Sequence, residues 1–104
     1  MILYIDSTDF NSVTYAIKID KKVFKKTFKV DPYKAYETLG KLEGFLKLAK
    51  YPISNIQYLV CNKGPGSYTG TRVGAAHALA ISLALNIPVK FLEKSKFEKD
   101  LAKK

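Results

Sequence analysis

The period of the hydrophobic pattern changes at Asp31-Pro32, and this change restricts the available folds more than any other feature of the chain. Before it, apolar side chains recur at every second position. Val13, Tyr15, Ile17 and Ile19 alternate with polar or small residues, and across 23–30 Phe24, Phe28 and Val30 share one face while Lys25 and Lys29 share the other. Side chains of a strand alternate between faces, so the spacing predicts two half-buried strands. Residues 2–5 form a short apolar run that stops at Asp6, which suits a buried central strand. The polar stretch 7–12 reads as a turn whose side chains bond their own backbone, and Asp20-Lys21-Lys22 leaves room only for a tight connection. Three strands joined this closely are expected to pair antiparallel.

After Asp31 the pattern turns helical. Asp31 suits an N-cap and Pro32 the first helical position, where its missing N–H costs nothing. The predicted helix runs to about Lys50, with Tyr36, Leu39, Leu42, Leu46 and Ala49 along one stripe. Pro52 ends it, and 56–61 reads as a buried strand. A glycine-rich loop over 62–70 leads into a helix over about 71–85, which Asn86 closes before a last strand over 87–92. Ser95 and Glu98 have capping-box spacing, so a third helix is expected to begin there. The order βββαβαβ predicts an α/β fold: a mixed five-stranded sheet with helices, as in the ribonuclease H-like layer found once in nucleases and twice in actin-like ATPases.

Two helical features need an explanation. Between 73 and 85 only His77 and Ser82 are polar, and a helix this apolar around its circumference is normally buried on every side. Gly74, Ala78 and Ser82 form one small-residue stripe; Ala76, Ala80 and Ala84 form another. A single sheet covers one face, so a missing domain, a partner subunit or the first helix has to cover the rest. Gly40 and Gly44 sit four apart inside the first helix, each costing about 1 kcal/mol relative to Ala, and close approach of another helix would account for them.

Composition bounds the partners. With 104 residues there is room for one domain, and the formal net charge is +9. That excess suits an acidic partner such as RNA, or a solvated coat. Seventeen of the eighteen cations are Lys, with Arg72 the exception, which argues against base-edge reading by arginine forks. A lone Cys61 permits no internal disulfide and points to a reducing compartment. The stretch before Asp6 is too short for a signal segment, and the longest mostly apolar stretch, 73–85, falls short of the ~20 residues that span a bilayer. A soluble cytoplasmic protein, free of membrane, is the expectation.

The run Gly64-Pro65-Gly66-Ser67-Tyr68-Thr69-Gly70-Thr71-Arg72-Val73-Gly74 resembles the signature of the TsaB (YeaZ) family, GPGSFTGxRIG, with Tyr68 for Phe and Val73 for Ile. Flanking segments agree: residues 2–8 resemble the family's opening strand and IDTST-like turn, 83–89 its LALxIP stretch, and 95–98 the SSLE start of its next helix. The resemblance covers nearly the whole chain. It implies that residues 1–104 are the N-terminal lobe of such a protein, without the second actin-like lobe that family members generally add. It also implies a non-catalytic scaffold subunit in the synthesis of threonylcarbamoyladenosine beside the tRNA anticodon. The implied partners are a TsaD-type transferase paralogue, a TsaE-type ATPase and tRNA through the complex, with a homodimer as the alternative pairing. No cofactor is implied. TsaD-like proteins bind metal through a His-x-x-x-His pair on the first helix, whereas 35–39 here holds no histidine. The resemblance puts the helix pair at the surface where TsaB meets TsaD or another TsaB, giving Tyr36, Gly40, Gly44, Gly74, His77, Ala78 and Ser82 as the expected partner interface.

Other chemistries fit less well. A ribonuclease H-like nuclease needs several carboxylates around two metals; Asp6 could supply one and Glu37 or Glu43 another, but the fourth strand ends in Cys61-Asn62. Asp6 is expected to form a turn instead. The loop 64–70 opens a helix and could favour an anion, yet it matches neither GxxxxGK[ST] nor GxGxxG. A rigid turn is the preferred reading, with Ser67 or Thr69 as helix cap. The alternatives to a scaffold are a stand-alone basic nucleic-acid-binding module and a nucleotide-binding actin-like ATPase lobe.

Overall fold

The computed structural model describes residues 1–31, 34 and 36–103, the side chains of Tyr36 and Leu39 excepted. Five strands, β1 (Ile2–Asp6), β2 (Ser12–Ile19), β3 (Lys22–Lys29), β4 (Tyr58–Asn62) and β5 (Val89–Leu92), form one sheet in the order β3-β2-β1-β4-β5. The three leading strands pair antiparallel, with Tyr4 opposite Ala16 and Ile17 opposite Phe24; β4 and β5 add in parallel, with Leu3 beside Leu59 and Cys61 beside Phe91. At the β2–β3 turn Asp20 has φ 54, a left-handed conformation that a short carboxylate side chain tolerates.

The period of two sorts the strand side chains into two layers. Leu3, Ile5, Val13, Tyr15, Ile17, Leu59 and Cys61 face the helices α1 (Tyr36–Ala49) and α2 (Tyr68–Leu85), whose Leu42, Phe45, Leu46, Ala78 and Ile81 complete this main core. On the opposite face Tyr4, Ala16 and Val60 meet Phe97 of α3 (Lys94–Ala102). There the Tyr4 hydroxyl donates to Asp100 Oδ2 at 2.8 Å and Lys18 Nζ to the Asp100 carbonyl at 2.9 Å, anchoring α3.

Strands and element order agree with the sequence reading, and details of the helices differ. The described part of α1 begins at Tyr36, and Lys34 before it is not helical. Asp31 O accepts from Lys34 N and Lys34 O from Glu37 N, both at 2.9 Å. The Asp31 N–H is turned back onto Glu37 Oε2 at 3.1 Å; Pro32 lies outside the described residues. The buried stripe of α1 includes Thr38 and Phe45, which the predicted stripe left out. Phe45 is fully buried, stacked on Tyr15 with centroids 5.6 Å apart and tilted against Phe24 at 5.4 Å. The Ser95/Glu98 capping box does not form: Glu93 is the N-cap, with no side-chain bond. The Phe97 N–H closes the first turn on Glu93 O, and Lys94 N is held by Gly64 O at 2.8 Å, so the helix starts before Ser95 can cap it.

Phe45 ties α1 to the sheet. Phe45→Ala should therefore destabilise the chain by about 3–5 kcal/mol, read as a lower urea midpoint at unchanged slope. A loss below about 1 kcal/mol would mean that α1 contributes little to the core.

Candidate functional site

The glycine-rich segment lies where β4, α2 and the β1–β2 turn converge. Asp6 builds that turn: its Oδ1 accepts from the Thr8 N–H at 3.0 Å and from Thr8 Oγ1 at 2.6 Å, the turn-forming role expected of it. The segment then docks on the turn's backbone. Ser67 N donates to Thr8 O at 2.6 Å, and Ser7 Oγ donates to Gly70 O at 2.6 Å. Ser67 is the N-cap of α2, its Oγ accepting from Gly70 N at 3.1 Å, and its carbonyl accepts from Thr71 N at 2.9 Å.

Three glycines make this approach fit. A Cβ on Gly66 would stand 2.5 Å from Thr8 Cβ and 2.6 Å from Thr8 O; on Gly70 it would overlap the Ser7 carbonyl, and on Gly74 the Ser7 hydroxyl. Gly64 is different: it has φ 98, its N–H donates to Asn62 Oδ1 at 2.9 Å, and its carbonyl holds α3. The glycines thus serve close packing more than turn geometry, which refines the rigid-turn reading. Their spacing of four, Gly66, Gly70 and Gly74, was the signal available in the sequence.

The surface of the segment is plain. Pro65, Tyr68, Thr69 and Arg72 are exposed, with the Arg72 guanidinium 4.5 Å above the Tyr68 ring. A cleft beside it, lined by Ser7, Asp9, Phe10, Thr69 and Gly70 among others, encloses ≈ 20 Å³, room for about one water and not for a nucleotide. Among the described residues no three His, Cys, Asp or Glu side chains stand close enough to hold a metal. Burial, with Asp6 adding to it, pushes the Cys61 thiol up to about 12, which keeps it protonated and inert. No described helix is long and apolar enough to cross a membrane.

The expected partner interface divides. Gly40 and Gly44 are exposed, with open space where a Cβ would stand. The side chain of Tyr36 lies outside the described residues. Gly74, His77 and Ala78, in contrast, are buried on the chain's own sheet and strand turn, which corrects their assignment to a partner surface. The sheet comes closest to the helix along the narrowest stripe, so the smallest residues face inward. Ser82 is half-buried and donates to the Ile87 carbonyl. What faces solvent is the other stripe, Ala76, Ala80 and Ala84, together with Leu79 at 46% and Leu83 at 82% exposure.

His77 reads as part of a polar bridge inside the core. The Tyr15 hydroxyl lies 2.7 Å from the Thr38 carbonyl and 2.8 Å from His77 Nε2. A carbonyl can only accept, so Tyr15 donates to Thr38 O, and Nε2–H donates to the Tyr15 oxygen. Nδ1 then carries the lone pair and has no partner among the described residues. A second proton would stand there unsatisfied, and burial lowers the His77 pKa to about 4.

Fold and site together define a ribonuclease H-like α/β lobe whose glycine-spaced helix start is a packing joint. The sequence model of the family described as TsaD, tRNA N6-adenosine threonylcarbamoyltransferase, matches residues 37–94, more than half of the chain. The chain belongs to this family, as a member of its TsaB/YeaZ type. It is 28% identical over 89 residues to the tRNA threonylcarbamoyladenosine biosynthesis protein TsaB of Buchnera aphidicola, a match covering 86% of this chain and 42% of that protein. YeaZ from Pseudomonas aeruginosa superposes with a TM-score of 0.77 at 20% identity, over 88% of this chain and 43% of that one. RuvC of T. thermophilus, in complex with Holliday junction substrate, superposes with a TM-score of 0.63 at 12% identity, over 98% of this chain and 69% of that one. Both structures bear on the fold alone. The chain spans less than half the length of the TsaB and YeaZ relatives it matches.

Two predictions follow from the joint and the bridge. Gly70→Ala forces a methyl group onto the Ser7 carbonyl, so it should cost about 2–3 kcal/mol in urea unfolding; a neutral effect would show that the joint is loose. For His77 the unfolded chain takes up a proton near pH 6.5 that the folded chain refuses until about pH 4. Stability present at neutral pH is therefore lost as pH falls through that window, by up to about 3 kcal/mol. His77→Gln should lack this contribution. Superposable stability–pH profiles for the two proteins would show that His77 titrates freely.

Proposed function

We propose that the chain is a non-catalytic scaffold subunit in tRNA threonylcarbamoyladenosine biosynthesis, pairing with a TsaD-type transferase in the cytoplasm. Family membership supports the pathway. The observation that carries the scaffold role is the outward face of α2, where Leu79 and Leu83 stand exposed among Ala76, Ala80 and Ala84. Burying a leucine side chain is worth roughly 1.5–3 kcal/mol, and the chain leaves this gain unused on an otherwise alanine surface. On α1, in the same layer, Gly40 and Gly44 face open space with no internal contact to justify them. A helix of a partner laid across both would bury the leucines and use the glycines for close approach. Gly40, Gly44, Leu79, Leu83 and the exposed alanines are thus the proposed contact, with Tyr36 and Ser82 at its margin. A TsaE-type ATPase and tRNA would join through the assembly. A second copy of the chain is the alternative occupant of the same face.

This reading separates stability from assembly. Gly40→Ala should stabilise the isolated chain by roughly 0.5–1 kcal/mol, because an exposed helical glycine is replaced without a clash. The same change should weaken pairing with the TsaD-type protein, and Leu83→Arg should abolish it while leaving circular dichroism unchanged. Thermal unfolding and sedimentation of the mixture measure the two effects. Unaltered pairing in both variants would sink the proposed face.

A further inference from the structure

The β2–β3 hairpin forms a second surface, at the edge of the sheet and away from α2. Between residues 18 and 29 the sequence holds six lysines, Lys18, Lys21, Lys22, Lys25, Lys26 and Lys29, and one carboxylate, Asp20. The last five lysines are exposed, and among the described residues none of them is ion-paired; the pair found there is Lys47 with Glu43. β3 is an edge strand of eight residues, about 25 Å long. Lys25 and Lys29 lie on the α3 side of the sheet and Lys22 and Lys26 on the α1 side, as the register with β2 requires. At an edge both sets can swing outward along one line on their flexible stems.

Charge on an edge strand blunts unwanted strand pairing. Alternating Lys and Glu would achieve that without self-repulsion, so edge protection leaves the exclusion of carboxylates from β3 unexplained. Lysines without arginine suit point contacts to phosphate rather than forked contacts to bases. The hollow between this hairpin and α3, about 140 Å³, is lined by Asp6 and Glu98 as well as by Lys25. Its two carboxylates make the inside a poorer place for phosphates than the outer edge, where Lys22, Lys26 and Lys29 stand outside that lining.

We propose that the outer edge of the β2–β3 hairpin, through Lys22, Lys25, Lys26 and Lys29, docks the phosphodiester backbone of a folded RNA without reading its sequence. The choice of RNA as the polyanion rests on the pathway proposed above; the charge arrangement does not. The experiment measures binding of an unmodified tRNA transcript to the full chain across a salt series. Changing the four lysines together to Gln (K22Q, K25Q, K26Q and K29Q) should weaken binding at least tenfold near 0.1 M salt. It should also reduce the slope of log affinity against log salt by about 3, roughly 0.7–0.9 for each of the four lost phosphate contacts. Arg at the same four positions should restore both, and K25Q with K29Q should lie between. Loss of binding equal to that in K94Q, K96Q and K99Q on α3 would reduce the effect to net charge and overturn the proposal. So would unchanged RNA binding by the hairpin variant, with or without self-association through its bared edge. Capture by phosphatidylserine vesicles with no affinity for tRNA would overturn it as well. The hairpin variant should still pair with the TsaD-type protein. A wild-type chain that binds tRNA through these lysines yet pairs with no such protein would remove the scaffold reading and leave this one standing.

Discussion

The fold depends on backbone meeting backbone at one point, where the start of α2 presses on the turn that follows β1. Three glycines spaced by four give that contact its short distance, and the hydrogen bonds from Ser67 N to Thr8 O and from Ser7 Oγ to Gly70 O give it direction. Neither would suffice without the other, since a helix start can cap itself and still pivot. Once α2 is fixed at its first turn, its path over β1 and β4 is set. Asn86, at φ 55, then ends the helix and returns the chain as β5 beside β4. Gly64 extends the same joint to the opposite layer by holding the first residue of α3. One short segment thus positions a helix on each face of the sheet.

The two helices on the main face are coupled by a polar bridge as well as by apolar packing. Tyr15 stands on β2 between the Thr38 carbonyl of α1 and the imidazole of α2. A buried polar group is tolerated when its partners are in place, and here each hydroxyl and ring proton has one destination. The bridge specifies how α1 and α2 sit relative to each other more sharply than the surrounding Leu and Ile contacts can. A partner that lies across both helices therefore meets a preformed surface.

Much of this was legible in the residues. The period of two located β2 and β3, the short apolar run before Asp6 located β1, and Ser67 and Asn86 marked the ends of α2 to within a few residues. The glycine-rich run gave the family. Legibility failed where two local signals competed. Asp31-Pro32 looks like a helix start, but Lys34 is not helical and α1 is described from Tyr36. Ser95 and Glu98 have the spacing of a capping box, but the tertiary bond from Lys94 N to Gly64 O starts α3 sooner. On α2 two small-residue stripes looked equivalent. The contact of Gly74 with Ser7, far away in sequence, and the burial of Ala78 in the main core decide that these two turn inward and Ala76 and Ala80 outward. The spacing of Gly66, Gly70 and Gly74 marks a close approach, but nothing in the pattern names Ser7 as what approaches.

The strand order places β1 in the middle of the sheet, paired on one side with β2 and on the other with β4, with Leu3, Tyr4 and Ile5 all buried. Helices cover it from both layers, and the joint closes its far end. The amides of β1 consequently have no small opening through which solvent could reach them, and their hydrogen exchange reports global unfolding. β3, bonded along one side alone, can peel from β2 while the rest of the sheet stays closed. The chain therefore combines a slowly exchanging centre with an edge that breathes, and a ligand lying along that edge would slow its exchange without changing that of the centre.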